Sequence, residues 1–433
     1  MITIVLDRQP PPPTEGASSR INAIIDHLRS VDPELRIVVA EAHPRPDRGR
    51  LGRLTALMRR MPGFVARTLE GGNRLVLLSA PALPFFDSPS RIDLLLTSRF
   101  LKLLRRGCDA KGAAIVLNLH DVRSLQLPDF GVEISPAALE IFRRMERRSF
   151  RASHYVLAPG GDWPAYLAGH YGLSGEQLVD FPNGCVRPGA ATLPPDSLPG
   201  KIRFAYAGTM TPRGRGLERM VEAFRALRNP DASLILMGPG GEWCREAAAG
   251  DDRIRYLGAL PVDTCIAALR ECHVGLYPYP DLFYFNMTAT TNKMALYLTC
   301  GLPILASRSR AVERFVGERG LGLVCDPGEM TTRMEEMASA PGRLSAWRAA
   351  SLAAGEDLHW DVIIDRAFAT IAKRAGIPPL EATAAEGALP GGAGSGHPER
   401  VARGADDRSA CGDEGPAGPG GGAAGSAETA RGA

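Results

Sequence analysis

The chain lacks the marks of several common protein classes. Its eight cysteines, at 108, 185, 244, 265, 272, 300, 325 and 411, form no Cys-x-x-Cys pair and no His/Cys cluster at zinc spacing. This excludes a zinc ribbon or a thioredoxin-type redox site. Reduced, partly buried thiols of a cytosolic protein are expected instead. No apolar run is long enough to cross a bilayer. The start, MITIVLDRQ, is a short apolar strand broken by Asp7 and Arg8, without the charged start and apolar core of a signal peptide. Export is therefore not expected. A net charge of +3 is too small to argue for nucleic acid, and no aromatic stacking pattern accompanies the arginines. What remains is a chain of 433 residues, 45% hydrophobic and 23% charged, for which two domains of a globular enzyme are expected.

The order of apolar runs has an α/β character. Ile2 to Leu6 is a β-branched run, followed by the turn-rich PPPPTEGASSR, a helix from Ile21 to Leu28 and a strand from Arg36 to Ala40. Strands at Leu75–Leu78, Ala114–Leu119 and His154–Ala158 alternate with helices at Ile92–Leu104, Pro136–Phe150 and Asp162–Tyr171. The segment from Arg187 to Gly200 has four prolines and no periodicity and reads as a linker. A second α/β pattern then begins, with strands at Ile202–Tyr206, Ser233–Met237, Ile254–Leu257, Val274–Tyr277 and Gly322–Cys325. The division expected is a first domain over 1–187, a linker over 188–200, a second domain over 201–355 and a final helix over 356–376. From 378 to 433 the composition collapses into Ala, Gly and Pro, and disorder is expected.

The richest stretch is Asn286 to Ser307, NMTATTNKMALYLTCGLPILAS. A polar Thr/Asn loop with Thr290 and Thr291 leads into a short helix opening near Asn292 and Lys293. Backbone N–H groups, hydroxyls and a lysine at a helix N-terminus suit an anionic diphosphate. Gly301 and Pro303 then end the helix. A second candidate is the loop from Gly208 to Gly216, GTMTPRGRG, where Arg213 and Arg215 are placed to reach a diphosphate. Read alone, a solvated loop with surface arginines accounts for it better.

These segments resemble the GT-B fold glycosyltransferases, most nearly the family-4 retaining enzymes of group 1. The family reads roughly "nKlxeYlaaGlPvia" where this chain has Asn292, Lys293, Tyr297, Leu298, Gly301, Leu302, Pro303 and Ile304. The loop and helix with Gly208, Pro212, Arg215, Gly216, Leu217, Glu222, Ala223 and Phe224 resemble "GrlxxxKGvdxLieAfaxl". Gly238 falls in a segment like "lxivGxGp", and Leu257 in one like "vxflGxv". The resemblance implies an α/β GT-B architecture of two Rossmann-like domains facing a central cleft. It also implies sugar transfer from a nucleotide-diphosphate donor to a glycan or lipid-linked acceptor, with no metal and no cofactor.

It further implies donor-binding roles for Gly16, Gly208, Thr209, Arg213, Arg215, Gly238, Leu257, Thr290, Thr291, Asn292 and Lys293. His120, at a strand end, would contact the donor sugar, with Asp121 orienting it or serving the acceptor. The chain departs from the family at Thr209, where an arginine is usual, and at Thr288 and Leu296, where two glutamates are usual. The donor loop is closer to that of bacterial glucosyl- and galactofuranosyltransferases. The departures keep open a catalytically inactive partner or chaperone of another transferase.

Arg48 to Arg67 carries Leu51, Leu54, Leu57, Met58, Met61 and Phe64 among its arginines at helical spacing. An interfacial helix on anionic lipid and a domain helix with a solvated basic face explain it equally. Arg143, Arg144, Arg147, Arg148 and Arg151 form a second basic strip. A lipid-linked acceptor would explain both, so the location expected is cytoplasmic, with peripheral association at the inner membrane face.

Overall fold

The structure, a computed structural model, describes residues 2–6, 16–39, 50–80, 89–186, 201–211, 214–288 and 290–378. In the first half lie strands β1 (Ile2–Leu6), β2 (Arg36–Val39), β3 (Leu75–Ala80), β4 (Ala114–Leu119), β5 (Tyr155–Ala158) and β6 (Leu178–Asp180). Its helices are α1 (Gly16–Val31), α2 (Arg50–Thr68), α3 (Arg91–Lys111), α4 (Arg123–Asp129), α5 (Pro136–Ala152) and α6 (Trp163–Tyr171). The second half holds β7 (Arg203–Ala207), β8 (Ser233–Met237), β9 (Ile254–Tyr256), β10 (Val274–Tyr277), β11 (Ile304–Ser307) and β12 (Gly322–Cys325). Its helices are α7 (Leu217–Arg225), α8 (Glu242–Ala249), α9 (Val262–Arg270), α10 (Phe283–Met287), α11 (Asn292–Thr299), α12 (Arg310–Val312), α13 (Met330–Ala338), α14 (Pro341–Asp357) and α15 (Trp360–Ala375).

Two six-stranded sheets result, in the orders β2-β1-β3-β4-β5-β6 and β12-β11-β10-β7-β8-β9. Every pairing in both is parallel. Parallel neighbours need crossovers, and the helices that supply them cover the sheet faces. Strands β1 and β4 are accordingly buried throughout, all five residues of the first and all six of the second, and apolar except for Thr3 and Asn118. This is the two-sheet α/β architecture expected from the sequence. Both halves lie in one compact unit, Met1–Ala384.

The last helix ties the halves together. A bridge between Cys185 and His359 brings the chain back, with Cys185 N–H donating to the Leu358 carbonyl at 2.6 Å and Trp360 N–H to the Cys185 carbonyl at 3.1 Å. A side chain on Gly184 would stand 2.5 Å from the Trp360 ring, so that ring packs directly on backbone. Trp360, Ile363, Ile364, Ala367, Phe368 and Ile371 are buried at helical spacing along α15. On its polar side, His27 of α1 meets Asp365 at 2.7 Å and Asp361 at 3.3 Å.

Several expectations shift. Gly16 is the first residue of α1, rather than part of a loop; residues 7–15, where that loop was expected, lie outside the described residues, as do Arg213, the linker 188–200 and the tail from 379. The expected division at 355/356 falls inside α14. Helices α4, α8 and α10 run seven, eight and five residues, too short to display a periodicity. In α2, Leu57, Met61 and Phe64 are buried in the core, with the Phe64 and Phe100 rings 5.9 Å apart. The described part of the apolar stripe therefore packs inward, which favours the domain-helix reading, while Arg59, Arg60 and Arg67 are exposed.

Candidate functional site

The site candidates of the second half gather where β7, β8, β9 and β10 end. Gly208 N–H donates to the Met237 carbonyl, Met210 N–H to the Pro239 carbonyl and Gly238 N–H to the Gly258 carbonyl, each at 2.8 Å. The loops are thus laced edge to edge. Such approach is open only to glycine: at Gly238, with φ of 142°, an added Cβ would stand 1.8 Å from the Gly208 carbonyl oxygen. Tyr256 locks the arrangement by donating to the Gly238 carbonyl at 2.7 Å.

Helix α11 enters this corner. Thr291 caps it by accepting from Met294 N–H at 3.4 Å. Tyr297, buried, donates to the Leu276 carbonyl at 2.9 Å and accepts from Ala207 N–H at 3.3 Å, so it pins α11 to the ends of β7 and β10. Lys293, in the first turn, then lies over Gly208: a Cβ there would be 2.2 Å from its Cε and 2.6 Å from its Nζ. Its ammonium stands 5.0 Å from the Tyr279 ring and 5.5 Å from that of Tyr206. Arg215 arrives from the Gly208 loop, donating to the Tyr279 hydroxyl at 3.0 Å and lying 5.0 Å above the Phe130 ring of the first half. Burial alone would push the Tyr279 phenol up, but Lys293 and Arg215 outweigh it and hold the phenol below its usual value. The corner is therefore cationic, and the first N–H groups of α11 add to it.

Other candidates fall elsewhere. Thr209 is exposed, and its carbonyl accepts from the Tyr206 hydroxyl at 3.3 Å. Leu257 lines a cavity of about 500 Å³ with Arg203, Ile235, Arg255, Ala268 and Cys272, which includes none of the other donor candidates. Its N–H is spent on the Leu236 carbonyl at 2.9 Å. Thr290 is 1% exposed, and its carbonyl accepts from Asn183 Nδ2 at 2.8 Å. Thr288 is buried as well, and its hydroxyl accepts from Trp163 Nε1 at 3.1 Å, joining the halves.

On the first-half side, His120 and Asp121 follow β4. His120 Nδ1 lies 3.1 Å from Asp121 Oδ2. His120 Nε2 is buried, with no hydrogen-bond partner among the described residues. The Tyr284 hydroxyl of α10 donates to Asp121 Oδ1. Burial works to raise the Asp121 carboxyl, yet the close approach of His120, the hydrogen bond from Tyr284 and the charge of Arg123 together hold it well below the usual range. From Tyr284 an aromatic wall continues through Phe285, which stacks on Tyr279 at 4.2 Å, to Lys293. The pair His120–Asp121 and the cationic corner are thus joined by one run of buried, packed rings.

Tyr279, Tyr284, Phe130 and Arg20 were not singled out in the sequence. The signal available was the run Phe283-Tyr284-Phe285 directly before the polar loop.

Tyr284→Phe checks this cross-half bond. Hydrogen bonds to charged groups contribute about 1.5–3 kcal/mol. Asp121 titrates lower in the folded chain than the roughly 3.9 of an unfolded aspartate. Its contribution is therefore full above that value and lost as pH falls through the folded one. The stability deficit of Tyr284→Phe is expected to be largest near neutral pH and to shrink below about pH 4, as read by urea unfolding across that range.

Solved structures share this architecture. Sucrose-phosphate synthase from Thermosynechococcus elongatus matches with a TM-score of 0.58 at 15% identity, covering 84% of this chain and 96% of its own. Anabaena HepE, solved in complex with UDP-glucose, matches at 0.58 and 14%, covering 86% and 100%. WaaG, a glycosyltransferase involved in lipopolysaccharide biosynthesis, matches at 0.56 and 11%, covering 87% and 99%. At such identities these likenesses establish the fold, which is GT-B. No curated protein matches by sequence. Residues 201–340 match the sequence model of the family described as glycosyl transferases group 1. Over that segment the second half of the chain is similar to glycosyl transferases group 1.

Proposed function

We propose that the protein transfers a sugar from a nucleotide-diphosphate donor to a hydroxyl of a glycan or lipid-linked acceptor. The observation that carries this reading is Lys293, in the first turn of α11, lying across Gly208 beside Arg215 and Tyr279. A lysine, an arginine and free helix N–H groups in one partly dry corner stabilise the charge that develops on a departing diphosphate. The complex of HepE with UDP-glucose supports a donor of this class.

In this reading the cationic side chains take the place of a metal, and the reaction retains anomeric configuration, as in the enzymes the donor segment resembles. His120, with Nε2 unpartnered beside the cleft, offers a donor to a sugar hydroxyl, and Asp121 fixes its ring. Among the described residues no helix is long and apolar enough to cross a membrane. The exposed arginines of α5, at 143, 144, 147, 148 and 151, support a peripheral contact with anionic lipid. One observation favours the second reading, an inactive partner subunit. Thr288, where the family usually carries a glutamate, is buried and committed to Trp163.

The test is turnover. Purified protein is incubated with a panel of nucleotide-diphosphate sugars and with glycan and lipid-linked acceptors, and released diphosphate and product anomer are followed by NMR. Acceptor-dependent release with an α-linked product from an α-linked donor is expected. Donor binding without transfer to any acceptor would favour the partner subunit.

A further inference from the structure

Arg20, on the first helix of the chain, is 0% exposed. Its Nε donates to Asn118 Oδ1 of β4 at 2.9 Å and its Nη1 to Asn183 Oδ1 at 3.2 Å. The guanidinium plane lies 4.4 Å over the Phe181 ring, which fixes its rotamer. No carboxylate pairs with it among the described residues, and its Nη2 has no partner there. Burial lowers its proton affinity to about 9. Asp121 and Asp180 act on it only without direct contact, and a buried cation with no contacting carboxylate is a costly way to fill space that a methionine or leucine would fill. Stability alone does not account for an arginine here.

The hydrogen bonds continue across the cleft in one direction. Arginine only donates, so Asn183 must present Oδ1 to it. The Asn183 Nδ2 is thereby turned to the opposite side, where it donates to the Thr290 carbonyl at 2.8 Å. That carbonyl belongs to the peptide leading into Thr291, the cap of α11. Its orientation sets the direction of the first free N–H groups of α11 and the root of Lys293. Without Arg20, nothing in this chain of bonds would stop the Asn183 amide from turning over and facing its oxygen to the Thr290 oxygen.

We propose that Arg20 is a positioning residue for the donor loop. Through Asn183 it holds the Thr290 carbonyl, so the first half of the chain sets where the second half presents its diphosphate-binding helix. The inference rests on the donor-site reading above, but half of its test does not.

Two variants and two measurements test it. Arg20→Met removes the donors at similar volume. Asn183→Asp keeps an acceptor for Arg20, indeed a charged one, but removes the donor to Thr290. Hydrogen–deuterium exchange over 288–299 needs no nucleotide: both variants are expected to exchange faster there than the wild type, with α15 and β7 unchanged. Affinity for the nucleoside diphosphate that binds the wild type is expected to fall on the order of tenfold or more in each, and the double variant to bind no worse than the weaker single. A core-filling role would lower the melting temperature of Arg20→Met and leave Asn183→Asp unaffected in both readouts. Unchanged exchange over 288–299 in a folded Asn183→Asp protein would overturn the proposal, whatever the wild type binds. If the wild type binds no diphosphate, the donor reading fails and the exchange result still decides the role of Arg20.

Discussion

Lys293→Ala is expected to weaken nucleoside diphosphate binding by roughly 10- to 100-fold while the protein stays folded. A charge-assisted hydrogen bond contributes about 1.5–3 kcal/mol, and each 1.4 kcal/mol is about tenfold in affinity. Lys293 is half-buried, and its charge meets the Tyr279 phenol and ring rather than a carboxylate among the described residues. What it gives up on truncation is contact with the Tyr206 and Tyr279 rings and the Tyr279 hydroxyl, worth about 0.5–2 kcal/mol for a partly desolvated cation on an aromatic face. Stability should therefore change little. A second readout is built in: Lys293 is the foremost cause holding the Tyr279 phenol down against burial. Ultraviolet titration of the variant should show that phenol ionising at higher pH. Calorimetry giving wild-type affinity in a folded variant would remove Lys293 from the site.

The second large effect is on stability, at Gly238→Ala. The added Cβ would meet the Gly208 carbonyl oxygen at 1.8 Å, and the backbone φ of 142° disfavours any side chain. Overpacking costs about 1–3 kcal/mol and a forced backbone conformation about 1–3 kcal/mol. Their sum, on the order of 2–6 kcal/mol, has no flexible atom to absorb it, since both partners are backbone. Gly208→Ala offers the contrast. There the Cβ meets the far end of Lys293, which can swing away. With its own φ of 150° still disfavouring a side chain, that variant should melt below the wild type but above Gly238→Ala, and bind diphosphate as poorly as Lys293→Ala. Equal melting of Gly238→Ala and the wild type would mean the loops after β7 and β8 are not laced as described.

The fold was legible because its signals are local. Apolar runs such as Ile2–Leu6 and Ala114–Leu119 are buried on both faces and read as strands without knowledge of their neighbours. The donor segment was legible for the same reason: cap, lysine, glycine and proline lie within one short stretch. Tyr297 had been placed by motif, and the structure supplies its physical reason, a hydroxyl shared between the ends of β7 and β10. The bonds linking Arg20, Asn183 and Thr290 were beyond reach, because 163 and 107 residues separate the members of each pair. Nothing local distinguishes Arg20 from the surface arginines around it. Leu257 was named by motif order, and the cavity its side chain lines, just past the end of β9, was not legible from that order. The basic helix α2 was ambiguous because helical spacing alone does not say whether an apolar stripe faces lipid or core.

Titration calorimetry of UDP, GDP, ADP, dTDP and CMP against the wild-type protein tests the central claim most directly. The account predicts that at least one diphosphate binds, that CMP binds weakly if at all, and that Lys293→Ala abolishes most of the difference. No binding by any diphosphate to a cooperatively folded protein would contradict it.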